Sequence, residues 1–463
     1  LLCKGKVDTL NLLKMVIRFM IGSFALSGDF KQFYCSCKLV PEDYNLVRFL
    51  YKPDFDPDSE AIEAVFKALI FGLKSASGQS ECSKCKLAKH NRVEFPAVAV
   101  LLDDGTYVDD MGESKPTAEE IDMLIAQSEV VFSQVDLECK DWNKTGKKPS
   151  EISSSNGVSI FVGGTEWWPE LDCVSVKIPL LHFGKKKRGK LDDKTEFFIG
   201  SGDFSDKAKL DKFCPKLTRR ICASKAASVF DLTGLLAPVL VGVKCLMRDT
   251  VKATDDWDDE VPVYLRNKWL DAFLTLEQLR GIQFDRPVMP VNAVDKNLRL
   301  TALSDAGKPA VILGVWGGFL LPSGNYSCRL IIGRSLLSAD ITIPKLELEG
   351  ANAVANLGWF VRMCLKDWPI SLIQGCDSTI ALCWITSEEL RLSQFHRNRV
   401  GQIRRALGGL DNLYHVRTEV MAADCGTRPD KVSVEDILVG SRWHSGEQWM
   451  SWPVQKAVDE ECI

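Results

Sequence analysis

The sequence predicts an α/β chain, and three observations carry that expectation. Between residues 297 and 337 the runs "NLRLTALSDAG", "KPAVILGVWGGF" and "SCRLIIGRSL" succeed one another as strands; a helix from Pro344 to about Arg362, a strand "SLIQGCDS", a helix and a last strand "LYHVRTE" follow. Three strands, helix, strand, helices and strand make an α/β layer with a mixed sheet. Upstream, residues 205 to 281 read as mostly helical, and the N-terminal third alternates short strands with amphipathic helices.

The elements can be justified in order. Residues 8 to 28 open with a helical apolar period and end in an extended run into Asp29. Residues 43 to 71 give a strand, an acidic Pro-containing loop and a further apolar segment. In "DDGTYVDDMGES" (103 to 114), Asp103, Asp104 and Gly105 read as a turn and Tyr107 and Val108 as strand, so Asp109 and Asp110 sit just past a bend. Adjacent carboxylates repel unless a cation or hydrogen bonds hold them, and a solvated acidic hairpin is the ordinary alternative to a metal-binding turn. Residues 117 to 135 place Thr117 as N-cap with Glu120 three residues on. A polar stretch at 143 to 157 marks a boundary, short strands follow, and "GKKKRGK" (184 to 190) is an exposed basic loop suited to solvent, phosphate contact or nuclear import. Pro344 suits the first turn of its helix.

Bulk properties narrow the function classes. A chain of 463 residues exceeds one ordinary core. Its 46% hydrophobic and 26% charged content is that of a soluble globular protein. A net charge of -4 and a pI near 5.9 exclude a global basic signature, so binding of a polyanion must use local patches. The 16 cysteines are scattered, which fits reduced thiols. Cys35, Cys37, Cys82, Cys85 and His90 form the one cluster that could make a zinc site, although the single C-x2-C lacks a well-spaced partner pair. The longest apolar run, 232 to 247, is broken by Gly234, Pro238, Gly242 and Lys244 and reads as core, so no membrane partner is expected.

Four acids mark element edges in the C-terminal sheet: Asp305 after its first strand, Glu347 one turn into the helix, Asp377 at the end of the fourth strand, and Asp424 beyond the fifth. Such positions can converge on one pocket, and four carboxylates in one pocket need divalent metal to offset their repulsion. Two Mg2+ ions about 4 Å apart would activate water and stabilise a leaving oxygen. The nuclease expectation requires the four carboxylates to come within metal-bridging reach.

These residues also carry a resemblance. "LSDAG" (303 to 307), "TIPKLELEGA" (342 to 351), "CDSTIALCWI" (376 to 385), "FHRNRVGQI" (395 to 403) and "VRTEVMAADCGTRP" (416 to 429) resemble the ribonuclease H domain of BEL/Pao-type LTR retrotransposon polyproteins. "LTRRICASKAASVFDLTGLLAPV" (217 to 239) and "WDDEVPVYLRNKW" (257 to 269) resemble the segment that joins reverse transcriptase to it. "LSGDFKQFYCSCKLVPEDYNLVRFLY" (26 to 51) resembles polymerase motif A, "IFGLKSAS" (70 to 77) the loop before the nucleotide-contacting helix, and "GTYVDDMGES" motif C. The resemblance implies an α+β palm with an antiparallel sheet over residues 1–150, with most of the fingers missing. A helical thumb or connection over 151–290, a ribonuclease H-like mixed sheet over 291–430 and a tail over 431–463 would follow.

By the same resemblance, Asp29, Asp109 and Asp110 would bind two Mg2+ (or Mn2+) ions for nucleotidyl transfer, with Tyr34, Tyr107 and Gly72 as substrate contacts. Asp305, Glu347, Asp377 and Asp424 would carry the metals that cleave RNA in an RNA-DNA hybrid. The implied partners are RNA template, DNA primer, hybrid and deoxynucleoside triphosphates; the implied location is a cytoplasmic retrotransposon particle or the nucleus. His415 matches no catalytic position and is expected to be a packed or surface histidine. Departures from the family pattern are "SASG" at 75 to 78, "DLTG" at 231 to 234 and Met421-Ala422-Ala423 before Asp424. Two rival classes stay open: an aspartic peptidase, because the region is also catalogued as a Pao peptidase and "CDST" (376 to 379) resembles its signature, and an inactive nucleic-acid-binding remnant.

Overall fold

The structure, a computed structural model, describes residues 11–53, 56, 58–181, 207, 210–211, 216–388 and 391–463. The basic loop expected at 184 to 190 lies outside them. The chain forms two compact units, one of residues 1–163 and 168–171, the other of 164–167 and 172–463.

In the first unit, helix α1 (Leu12–Ile21) starts at Asn11, whose side chain accepts from the Leu13 N–H, and leads into β1 (Phe24–Phe30). A short helix α2 (Phe33–Ser36) follows, then an exposed antiparallel pair, β2 (Arg48–Tyr51) and β3 (Ile62–Val65). Helices α3 (Ala76–Asn91) and α4 (Pro96–Asp104) precede the hairpin of β4 (Thr106–Tyr107) and β5 (Asp110–Lys115). Helix α5 (Ala118–Ser133) and β6 (Cys139–Lys144) complete an antiparallel sheet in the order β4-β5-β1-β6. Leu26, Phe30 and Met111 from this sheet join Val98, Leu101, Leu102, Leu124 and Phe132 from the helices in one buried cluster.

One expectation is corrected here. Asp103 and Asp104 do not form a turn; they are the last residues of α4, which Pro96 opens and Gly105 closes, the Gly105 N–H donating to the Leu101 carbonyl. The apolar run of residues 97 to 102 buries Val98, Leu101 and Leu102 and so carries the helix through to the acidic pair. Thr117 does cap α5, accepting from the Glu120 N–H at 3.2 Å.

Short strands β7 (Ile160–Val162), β8 (Thr165–Trp168) and β9 (Cys173–Ser175) follow. The second unit continues with helices α6 (Arg219–Ala226), α7 (Ala237–Ala253) and α8 (Val263–Gln278), and β10 (Phe284–Asp285), which pairs with β9. Asp231, in the "DLTG" stretch, accepts from the backbone N–H groups of Gly234, Leu235 and Leu236 at 2.9 to 3.0 Å, so its carboxylate anchors the entry to α7. Gly234 allows that turn to touch the sheet, because a Cβ there would lie 1.9 Å from the Gly333 carbonyl oxygen.

Strands β11 (Leu298–Ala306), β12 (Ala310–Leu320) and β13 (Tyr326–Leu337) are antiparallel; β14 (Ile370–Cys376) and β15 (Leu413–His415) run parallel to β11, giving the order β13-β12-β11-β14-β15. Helix α9 (Ile343–Cys364) packs on this sheet; α10 (Thr379–Thr386) and α11 (Gln394–Leu407) link the last two strands. The last strand is shorter than "LYHVRTE" suggests, since residues 418 to 420 turn into a 3-10 helix. Residues 431 to 463 pack into this unit: Trp443 is fully buried, and its carbonyl accepts from Trp316 Nε1 at 2.8 Å. These elements make the chain α/β, with an antiparallel sheet in one unit and a mixed sheet in the other. Among the described residues no helix is long and apolar enough to cross a membrane.

Candidate active sites

Register brings the first set of acids together. Asp29 on β1 pairs directly with Asp110 on β5, and Tyr107 pairs with Asp110 across the hairpin, leaving Val108 and Asp109 as its two-residue loop. The Phe30 N–H donates to the Asp109 carbonyl at 3.0 Å, which ties the loop to β1. Val108 takes a φ of 58°, a left-handed conformation costly for a β-branched side chain. Like charges directly opposed in a sheet are destabilising, and the surroundings supply two compensations. The β1–β6 register shifts between Gly28 and Phe30, so that Lys140 and Asp141 together stand opposite Asp29, as in a β-bulge. That bulge puts the Lys140 ammonium in an ion pair with Asp29. The second compensation is the Gly163 N–H, which donates to Asp110 Oδ2 at 2.9 Å. Gly163 has φ 57°, and a Cβ on it would lie 2.6 Å from Val16 Cγ2.

These side chains line a cavity of about 280 Å³ with Ser27, Asp141, Ser153 and Phe161. Burial pushes the Asp110 carboxyl up to about 7, the Gly163 N–H opposing and the charges of Asp29 and Asp109 adding to the rise. Burial, then Asp29, also raises Asp109. Tyr34, Tyr107 and Gly72 do not line the cavity. Tyr34 instead packs its ring 4.9 Å from that of exposed Phe71, beside Gly72, and Tyr107 serves as the strand partner of Asp110.

The second set of acids lies at the carboxyl ends of parallel strands. Leu303 and Gly375 are paired in β11 and β14, so Asp305 and Asp377 each stand two residues further on, side by side. Open α/β sheets place ligands beyond such strand ends. Asp424, in a 3-10 turn at Ala422–Gly426, is joined to Asp305 by one side chain: Thr427 Oγ1 lies 2.8 Å from Asp305 Oδ2 and 3.1 Å from Asp424 Oδ1. A hydroxyl carries a single proton, so at any moment one of the two carboxylates lacks that donor. Burial first, then the nearby charges of Asp377 and Asp424, raise Asp305 to about 6, against the Thr427 hydrogen bond. Glu347 on α9 accepts from Ser378 Oγ at 2.5 Å, and Ser378, next to Asp377, is also the N-cap of α10. Burial raises Asp377, with Thr418 and His415 opposing.

Several of these partners were not among the expected site residues. Lys140, Gly163, Thr427 and Thr418 carry no local signal, since each is placed by a distant contact, whereas Ser378 is locally marked as the N-cap of α10. His415 is exposed as expected, yet its Nε2 lies 3.2 Å from the Asp377 carbonyl oxygen, at the edge of the acid group.

Among the described residues no three His, Cys, Asp or Glu side chains are arranged to hold a metal ion. In the cysteine cluster Cys35, Cys82 and Cys85 are exposed along α2 and α3, and no three ligands of it are arranged to hold a metal. For the two acid groups the donors fit Mg2+ or Mn2+ in kind, being carboxylate and hydroxyl oxygens. Their spacing stops short of a three-ligand set, so the four carboxylates of the second group do not come within metal-bridging reach in this structure. Lys140 and Gly163 hold Asp29 and Asp110, Thr427 contacts Asp305 and Asp424, and Ser378 contacts Glu347.

The family described as "Pao retrotransposon-like RNaseH-like domain" matches residues 218–376, which include Asp305 and Glu347 and end one residue before Asp377. No curated protein matches the sequence. Similar solved structures include the foamy viral protease-reverse transcriptase in complex with an RNA/DNA hybrid, at 11% identity and a TM-score of 0.48, covering 89% of this chain and 46% of that one. A second is the foamy viral protease-reverse transcriptase dRH in complex with double-stranded DNA, at 10% identity and a TM-score of 0.48, covering 90% of this chain and 60% of that one. The chain thus spans about half the length of these two solved structures. The match over residues 218–376 is to a Pao retrotransposon-like RNaseH-like domain, the kind of domain that the motifs of this stretch resemble.

Proposed function

We propose that the second unit hydrolyses the RNA strand of an RNA-DNA hybrid, and that the first is a reverse transcriptase palm. The observation that supports the hydrolytic reading is the gathering of Asp305, Asp377, Asp424 and Glu347 at the carboxyl edge of a mixed sheet, with Thr427 between two of them. Asp305, Glu347, Asp377 and Asp424 would hold the metal ions. When bound, a pair of divalent ions supplies an activated water and offsets charge on the leaving oxygen. Thr427 orients Asp305 and Asp424, and Ser378 aims Glu347 toward Asp377. Arg428, mostly exposed and 3.5 Å from Asp424, can meet a backbone phosphate. In the palm, Asp29, Asp109 and Asp110 would hold the divalent ions for nucleotidyl transfer, and Lys140 neutralises Asp29.

The test uses a hybrid labelled in its RNA strand, with Mg2+ and with EDTA. Cleavage by the intact chain in Mg2+, lost in Asp377→Asn, is expected. Equal cleavage by both proteins, or by neither, removes the nuclease reading. Hybrid binding unchanged by EDTA, without turnover, would instead select the binding remnant. The aspartic peptidase reading needs two aspartates sharing one proton in a tight turn, whereas Asp377 runs straight into Ser378, the N-cap of α10.

A further inference from the structure

A cavity of about 590 Å³ opens at the opposite end of β14 from Asp377. Its lining comes from the carboxyl end of α9 (Trp359, Arg362, Met363), the start of β14 (Ile370) and the end of α11 (Arg405, Leu407). Strand β14 has seven residues, so the cavity and the acids are separated by roughly 20 Å. Neither acid group uses any of these side chains.

Three features define what it could take. Trp359 is 48% exposed and Met363 47%, an apolar platform open to solvent. The guanidinium groups of Arg362 and Arg405 have no ion-pair or hydrogen-bond partner among the described residues. No carboxylate lines the cavity. Arginines in a last helical turn ordinarily complement the helix dipole. Here the backbone already closes both ends: the Leu365 N–H donates to the Val361 and Arg362 carbonyls, and the Gly408 N–H to that of Arg404. With Lys366, three cationic side chains line the cavity, more than two partial dipoles require. Bidentate guanidinium groups suit phosphate, and an exposed indole suits the face of a base.

We propose that this cavity binds a nucleoside phosphate, its base against Trp359 and its phosphate between Arg362 and Arg405, as a free nucleotide or as one unit of a single strand. The site is independent of metal and of the hydrolytic reading, so it survives if hybrid cleavage fails.

The test measures anisotropy of a short fluorescein-labelled oligodeoxythymidine with the full chain in EDTA, which keeps metal off both acid groups. The double variant Arg362→Ala/Arg405→Ala is expected to weaken binding at least tenfold and to lower the salt slope by about 1. Trp359→Ala is expected to weaken it about tenfold and Trp359→Phe to restore most of the loss. Trp359 and Arg405 are exposed and Arg362 is half-buried, and circular dichroism melting checks that the variants fold. Displacement of the oligomer by thymidine monophosphate indicates a free nucleotide as ligand; oligomer binding that the monophosphate does not displace indicates a single strand. Unchanged binding in the double arginine variant overturns the proposal, as does absence of binding by the intact chain. It also falls if inorganic phosphate competes as well as thymidine monophosphate while Trp359→Ala binds normally.

Discussion

The two acid groups answer the same electrostatic problem with different chemistry. In the first unit a cation from the chain itself, the Lys140 ammonium, sits on Asp29, and a backbone N–H holds Asp110. In the second most donors are hydroxyls, Thr427 between Asp305 and Asp424, Ser378 on Glu347 and Thr418 near Asp377, and a cation, Arg428, stands at the exposed edge, 3.5 Å from Asp424. A neutral hydroxyl leaves the negative charge of a carboxylate uncompensated, whereas an ammonium cancels it. On the proposed function, a divalent ion at the first group would compete with the Lys140 ammonium, while at the second it would meet mainly hydroxyls. The difference teaches that similar acid content can be held by different chemistry.

The comparison can be broken most decisively by activity. Asp377→Asn or Asp305→Asn should lower Mg2+-dependent cleavage of hybrid RNA by on the order of 10³-fold, the scale on which electrostatic transition-state stabilisation acts, whereas Asp110→Asn should leave it unchanged. Loss of cleavage in Asp110→Asn would show that the two groups are not separate in function.

Stability against pH comes next. An unfolded Asp110 carboxyl loses its proton near the ordinary value of 3.8, while the folded one keeps it to about 7. Between those values the folded state binds more protons than the unfolded state, so stability falls as pH rises through that window. Asp110→Asn should remove that fall, gaining on the order of a few kcal/mol at pH 8 in metal-free urea melts. Asp305→Asn should show the same sign over a narrower window, since Asp305 rises only to about 6. Identical pH profiles for wild type and Asp110→Asn would remove the argument from buried like charges.

Metal titration sharpens the contrast. Lys140→Ala should tighten Mn2+ binding to the first group about tenfold, read by electron paramagnetic resonance, by removing the competing charge. Weaker binding in that variant would mean that the ammonium organises the group rather than competing for it.

At the second group, Thr427→Val should cost about tenfold in cleavage, the scale of one hydrogen bond to a charged group, and Thr427→Ser should recover it. If Thr427→Ser is as impaired as Thr427→Val, the hydroxyl is not the active feature. The smallest effect expected is from Val108→Gly, which should stabilise the first unit by about 1 kcal/mol in urea melts by relieving the left-handed φ. A loss of stability there would show that the valine side chain packs usefully.

Much of the second sheet was legible because its three long strands are rich in apolar and β-branched residues between turn signals and α9 is opened by Pro344. The acids at its edges were legible for the same reason: they follow the ends of those runs. Helix α4 was read less well, because an Asp-Asp-Gly triplet carries turn chemistry while the apolar burial of Val98, Leu101 and Leu102 carries it through as helix. Sequence spacing left the cysteines open because it says nothing about whether α2 and α3 present their thiols to one point.

By itself, then, the sequence determined the kinds of element, the order of strands and helices, and which carboxylates end them, since propensity, periodicity and capping act over a few residues. Only the tertiary structure decided what each carboxylate meets. Lys140 is 111 residues from Asp29, Gly163 is 53 from Asp110, and Thr427 is 122 from Asp305. Those meetings depend on sheet register, on a bulge and on a close-packed glycine, which no local pattern encodes.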